Sequence, residues 1–146
     1  YEEAIAAFAS AIALIPDFVE AYTNRGYSYY YQGHHDRAIA DYTRVIAFAP
    51  HNASAFLNRG IAYSKQRNHN RAIADFTRAI GLNPNLAEAY NNRGSAYSDQ
   101  GQYDQAMADF NRAIALNPNL AEASYNRGDA YVRMGRYEPA DRKSGE

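Results

Sequence analysis

Three rows of polar side chains repeat in a fixed phase along the 146 residues, and they carry whatever chemistry the chain has to offer. Asn24, Asn58, Asn92 and Asn126 form the first, at a step of 34 residues. Arg25, Arg59, Arg93 and Arg127 follow them directly, each before a glycine: Gly26, Gly60, Gly94 and Gly128. The third row is acidic: Asp41, Asp75 and Asp109. An asparagine amide offers both donors and an acceptor, so one per repeat can pair with the backbone N–H and C=O of an extended ligand without reading its side chains. The alternative is that these amides cap helices or bond within the fold. Regular Arg with regular Asp suggests an ion pair repeated between packed helices, which would satisfy the guanidinium. Arg59 could meet Asp75 of its own unit or Asp41 of the preceding one. Asp41–Arg44, Asp75–Arg78 and Asp109–Arg112 could equally pair along the surface of one helix.

Catalytic chemistry finds little to work with. His35 and His69 occupy the place where Tyr103 and Tyr137 stand in other copies, and His34 and His51 fall in connecting segments. There is no His-x-x-x-His, nucleophile elbow or phosphate loop, so neither an active site, a metal nor a cofactor is expected. Cysteine is absent, which excludes disulfides and thiolate metal sites and fits a reducing compartment such as the cytoplasm. A net charge of −1 with scattered Lys and Arg lacks the electrostatic footprint of a nucleic-acid or membrane-surface binder. The apolar runs are too short and interrupted for a membrane span. The chain starts at Tyr1 rather than a methionine and reads as a fragment of something longer.

Two families of helix must position these rows. Ala4, Ile5, Phe8, Ala11 and Ile12 recur on one face at 3.6 residues per turn over residues 1–14. The pattern returns from Ala38, Ala72 and Ala106, and a proline (Pro16, Pro50, Pro84, Pro118) closes each of these B helices. The A helices open after each proline, at roughly 19–32, 53–66, 87–100 and 121–134. Asp17–Glu20, Asn85–Glu88 and Asn119–Glu122 have capping-box spacing, whereas His51-Asn52 lacks the acidic partner. Gly33, Gly101 and Gly135 suit the left-handed residue that ends a helix. Arg67 stands in the equivalent place with Asn68 beside it, so a longer or strained turn is expected there. Gly26, Gly60, Gly94 and Gly128 lie mid-helix, where glycine costs about 1 kcal/mol against alanine. Close approach to Ala38, Ala72, Ala106 and Ala140 of the paired B helix is the expected reason.

Aromatic-x-x-x-Gly-x-x-Tyr, then Ala-x-x-x-aromatic, then Pro, at a period of 34 residues, resembles the tetratricopeptide repeat. The copies read Tyr22, Gly26, Tyr29, Ala38, Tyr42, Pro50; then Phe56, Gly60, Tyr63, Ala72, Phe76, Pro84; then Tyr90, Gly94, Tyr97, Ala106, Phe110, Pro118. This chain departs from the family in having arginine where leucine usually precedes the glycine. Ser124 also replaces the helix-opening aromatic in the last copy. The resemblance implies an all-α, right-handed superhelical solenoid of antiparallel helix pairs. Residues 1–146 would form one array: a half repeat (1–18), full repeats at 19–52, 53–86 and 87–120, and a partial one at 121–146.

The resemblance also implies a non-catalytic protein-interaction module whose A helices line a concave groove for an extended peptide. Groove residues would lie at −6, −3, −2, +1, +4 and +5 from each glycine, offsets that also share one helical face. Besides the four asparagines they include Tyr27, Tyr30, Tyr31, Leu57, Ile61, Lys65, Asn91, Asp99, Tyr125, Asp129 and Arg133, with Glu20, Ser54, Ser64, Glu88, Ser95 and Glu122. The asparagine row resembles that in the repeat arm of the protein O-GlcNAc transferases. The aromatic and aliphatic members suit apolar anchors. Glu88, Asp99, Glu122 and Asp129 favour basic side chains, unless the glutamates serve only as caps. Lys and Arg are scarce at these places, which argues against chaperone C-terminal carboxylates as ligand. Residues 1–14 form a B helix without its A helix, and residues 121–134 an A helix whose B helix is only begun. End-to-end self-association through these two surfaces is therefore expected. A self-assembling scaffold, or the repeat arm of a larger enzyme such as a glycosyltransferase, is the alternative role.

Overall fold

The computed structural model describes residues 1–135, and across them run eight helices and no strand. In order these are α1 (Glu2–Leu14), α2 (Val19–Tyr31), α3 (His35–Phe48), α4 (Ala53–Lys65), α5 (His69–Leu82), α6 (Ala87–Asp99), α7 (Tyr103–Leu116) and α8 (Ala121–Met134). Each packs against the helix before and after it. Beyond these neighbours, α4 touches α6 and α6 touches α8. That is a stack of hairpins, α2–α3, α4–α5 and α6–α7, with alternate helices lined up on one side: an all-α helical solenoid.

The B helices α1, α3, α5 and α7 stop where the following proline demands. Ile15, Ala49, Asn83 and Asn117 each precede a proline, and their φ angles are −130°, −135°, −140° and −141°. Extended backbone is what the proline ring imposes on its predecessor. The A helices start where expected, at Val19, Ala53, Ala87 and Ala121, but their caps differ from expectation. No capping box forms at Asp17, Asn85 or Asn119, because α2, α6 and α8 begin one residue later than the box requires, after Phe18, Leu86 and Leu120. The Asn85 and Asn119 N–H groups instead donate to the Oδ1 atoms of Asn83 and Asn117, at 3.2 and 3.1 Å. The unpromising copy is the one that caps: Asn52 occupies the position of Phe18 and Leu86, and its Oδ1 accepts from the Ala55 N–H at 3.1 Å.

Between paired helices the turn is uniform. Gly33, Gly101 and Gly135 have φ of 83°, 76° and 69°, and Arg67 takes the same left-handed conformation at 59°. The turn at Arg67 is not longer. Asn68 N–H donates to Tyr63 C=O at 2.9 Å, matching His34 to Tyr29 and Gln102 to Tyr97. Substitution of arginine thus leaves the geometry intact and places strain on one residue, of about 1–2 kcal/mol.

The mid-helix glycines meet rings rather than the alanines expected. A Cβ on Gly26, Gly60 or Gly94 would lie 2.7, 2.6 or 2.7 Å from Cε1 of Tyr42, Phe76 or Phe110. Those three rings, essentially inaccessible to solvent, are the largest fully buried side chains among the described residues. Ala106 enters only through its carbonyl oxygen, 3.2 Å from the Cβ site of Gly94. Ala38, Ala72 and Ala106 are themselves fully buried. The expected contact of Gly128 with Ala140, and the helix expected to start near Tyr137, lie outside the described residues.

The Arg–Asp row forms within each repeat. Arg25, Arg59 and Arg93 donate from Nε and Nη2 to both oxygens of Asp41, Asp75 and Asp109, at 2.8–2.9 Å. Each guanidinium also lies between two rings, as Arg59 does between Phe56 and Tyr63 at 5.7 and 5.9 Å from their centroids. Nη1 of Arg59 and Arg93 reaches back to Thr43 and Thr77 of the preceding repeat, at 3.2 and 3.3 Å. One side chain therefore ties three helices together. The hydrogen bonds to aspartate raise the arginine pKa values above the ordinary value, against the opposing effect of burial. This explains arginine in place of leucine: its charge enters a half-buried site only because the site supplies a bidentate carboxylate. The surface alternative is not adopted at Arg44, which lies over the Phe48 ring at 5.1 Å.

Candidate functional site

The A helices meet along a groove with two confluent recesses. The first, of about 440 Å³, is walled by Tyr27, Tyr30 and Tyr31 of α2 and by Ser54, Leu57, Asn58 and Ile61 of α4, with Glu88 of α6 at its edge. The second, of about 320 Å³, takes Ser64 and Lys65 of α4, Asn92 and Ser95 of α6, and Glu122 of α8. Tyr30, Ile61 and Glu88 belong to both, so the two form one trough crossing successive repeats. Helical spacing makes this possible, because residues three, four and seven apart return to the same face. Stacking identical hairpins then places those faces side by side.

Two floor residues, Tyr42 and Phe76, come from B helices and were not anticipated. Their signal was nevertheless present in the sequence. A glycine in mid-helix lets the ring of the paired B helix pack close beneath the A helix, so a buried aromatic underlies the trough. Tyr42 has its phenol pKa pushed well above the usual value, first by burial and then by the neighbouring tyrosines. Leu86, preceding α6, closes the first recess and was likewise missed.

The asparagine row does not share one environment. Asn58 Nδ2 donates to the Tyr27 hydroxyl at 3.1 Å, across to the preceding A helix. Asn126 Nδ2 donates to Asn91 Oδ1 at 3.0 Å. The amides of Asn24 and Asn92 make no hydrogen bond among the described residues, and only Asn92 lines a recess. Asn91 departs from expectation: at 1% exposure it lies beneath the surface, where its oxygen orients Asn126 instead of facing a ligand. Its offset of three from the glycine places it at the flank of the helix, where the next repeat covers it.

The remaining expected positions fall outside the recesses. Tyr125 is 75% exposed on α8. Arg133 bonds Asp99 at 3.3 Å and Asp129 at 2.9 Å, so these three engage one another. Tyr27, Tyr30, Tyr31, Leu57, Asn58, Ile61, Lys65 and Asn92 are brought together, with Ser54, Ser64, Glu88, Ser95 and Glu122. The histidines do not converge on the trough. His35 and His69 have buried Nδ1 atoms without a partner, while His34 meets the Tyr29 ring edge-on. Among the described residues, no three of His, Asp and Glu gather closely enough to hold a metal ion.

No curated protein matches the chain. Solved structures do. The crystal structure of MamA is 27% identical, covering 90% of this chain and 77% of its own, with a TM-score of 0.84. The first repeat domain of Spaghetti (RPAP3), bound to the HSP90 peptide SRMEEVD, is 28% identical over 80% of this chain and 93% of its own, with a TM-score of 0.78. The second such domain of human RPAP3, in complex with the HSP70 peptide SGPTIEEVD, is 32% identical over 75% of this chain and 91% of its own, at 0.72. Models described as TPR repeat match residues 1–33 and 94–135, and models described as tetratricopeptide repeat match 23–87 and 76–108. Together with the hairpin stack and its 34-residue punctuation, these matches mean that the chain belongs to the tetratricopeptide repeat family.

Proposed function

We propose that the chain is a non-catalytic interaction module that holds an extended peptide segment in the trough between α2, α4, α6 and α8. The observation carrying this is the confluence of two recesses across the A helices of four successive repeats, with Asn58 and Asn92 on their walls. An extended segment exposes unpaired N–H and C=O groups at every residue, and carboxamides at successive repeats can satisfy them in either sense. Similar domains that hold HSP90 and HSP70 peptides support a protein or peptide partner. Capture of peptides from an array by the wild-type chain and by Asn58→Ala/Asn92→Ala tests the reading. The double variant should lose most of the signal while melting like the parent, and equal capture by both would remove the amides from the binding account.

A second reading is self-association through α1 and α8. No residue of α1 is buried, and Leu14 is exposed. On α8, Tyr125 and Val132 present apolar surface. Sedimentation velocity over a hundredfold concentration range addresses it: growth that Val132→Asp abolishes supports assembly, and a single species throughout removes it.

A further inference from the structure

Charge along the trough is uneven. Asp99 and Asp129 are both engaged by Arg133, whereas Glu88 and Glu122 make no ion pair or hydrogen bond among the described residues. These two glutamates hold the same position in successive repeats and line the same recess. Lys65 also lines it without pairing to either, so one cation faces two carboxylates. The adjoining recess has an apolar wall of Tyr27, Leu57 and Ile61.

We infer that the trough selects a basic segment: an apolar side chain seated against Leu57 and Ile61, and an arginine or lysine between Glu88 and Glu122. The inference rests on the trough being the peptide site. Neighbouring helices pack about 10 Å apart, and an extended chain rises about 3.3 Å per residue. The apolar wall lies on α4 and the cation between α6 and α8, one and a half spacings or about 15 Å away, so the two side chains stand about four or five residues apart. A cation so placed gains two carboxylate partners that no described residue satisfies, and it meets them beside low-dielectric walls. An acidic tail such as SRMEEVD or SGPTIEEVD, held by the similar RPAP3 domains, would bring like charge to the same place.

Random peptides of about twelve residues displayed on phage, roughly the span of four stacked repeats, are the probe. They are panned against the wild type, Glu88→Gln/Glu122→Gln and Asn58→Ala/Asn92→Ala. Wild type should enrich arginine and lysine over aspartate and glutamate by roughly five- to tenfold at one position, about four or five residues from an apolar one. The glutamine variant should keep the apolar preference and lose the basic one. Enrichment of acidic or charge-neutral peptides, or a basic preference that survives in the glutamine variant, overturns the basic-segment proposal. In that event, captured peptides that still depend on Asn58 and Asn92 leave the trough as the peptide site. Absence of any enrichment overturns both.

Discussion

Two polar rows lie side by side on the A helices, one residue apart in sequence, and they behave oppositely. Arg25, Arg59 and Arg93 repeat their surroundings almost atom for atom: the same aspartate, the same pair of rings, the same distances. Asn24, Asn58, Asn92 and Asn126 repeat in sequence but not in partners: two side chains bond a neighbouring repeat and two bond nothing among the described residues. The difference follows from direction. The arginine points into the layer between A and B helices, where every hairpin must be alike for the next to stack on it. The asparagine points toward a surface on which each repeat differs at its flanking positions. Identical residues therefore serve uniformity in one row and variation in the other.

The largest effect should come from breaking the inner row. Asp75→Ala leaves the Arg59 guanidinium half-buried without its carboxylate and should cost about 3 kcal/mol in urea unfolding. A loss below about 1 kcal/mol would mean that water replaces the carboxylate freely, and the row would not be structural. Gly60→Ala comes next. The added methyl would lie 2.6 Å from Phe76 Cε1, so a cost of about 2 kcal/mol is expected despite alanine's better helix propensity. The same change at the exposed Gly81, where nothing lies within 4 Å of the added atom, should be neutral or stabilising.

A smaller gain sharpens the view of the turns. Arg67→Gly removes the strain of a side chain at φ 59° and should raise stability by about 1 kcal/mol, read as a higher melting temperature. The last effect is one of pH. Tyr42 has its folded-state pKa raised above the ordinary 10. Its contribution is therefore fully present below pH 10 and declines as the unfolded chain, but not the folded one, releases the proton. Stability should fall above pH 10, and Tyr42→Phe should make that decline shallower. An identical slope in the variant would assign the alkaline loss to other groups.

The architecture was legible because its signals are periodic and local: a proline that forces extended backbone, a left-handed glycine, an apolar stripe. The Arg–Asp pairing was legible as an option, but its register was not, since only packing chooses between Asp75 and Asp41. Capping failed for a related reason. The cap falls one residue later than the box spacing suggests, which leaves Asn85 and Asn119 out of it and puts Asn52 into it. The trough was read from helix-face offsets that treat each repeat alone. Asn91 and Asn126 show the limit: coverage by the next repeat buries one and orients the other. Tyr42 and Phe76 belong to the wrong helices for a single-helix reading, although the glycines marked where their rings would pack.

The most direct test follows side-chain carboxamide signals by NMR as a peptide captured on the array is added. Asn58 and Asn92 should shift progressively with peptide, while Asn126 and the arginine Nε–H signals stay in place. Shifts confined to α3, α5 and α7, with the four carboxamides unmoved, would contradict a peptide site in the trough.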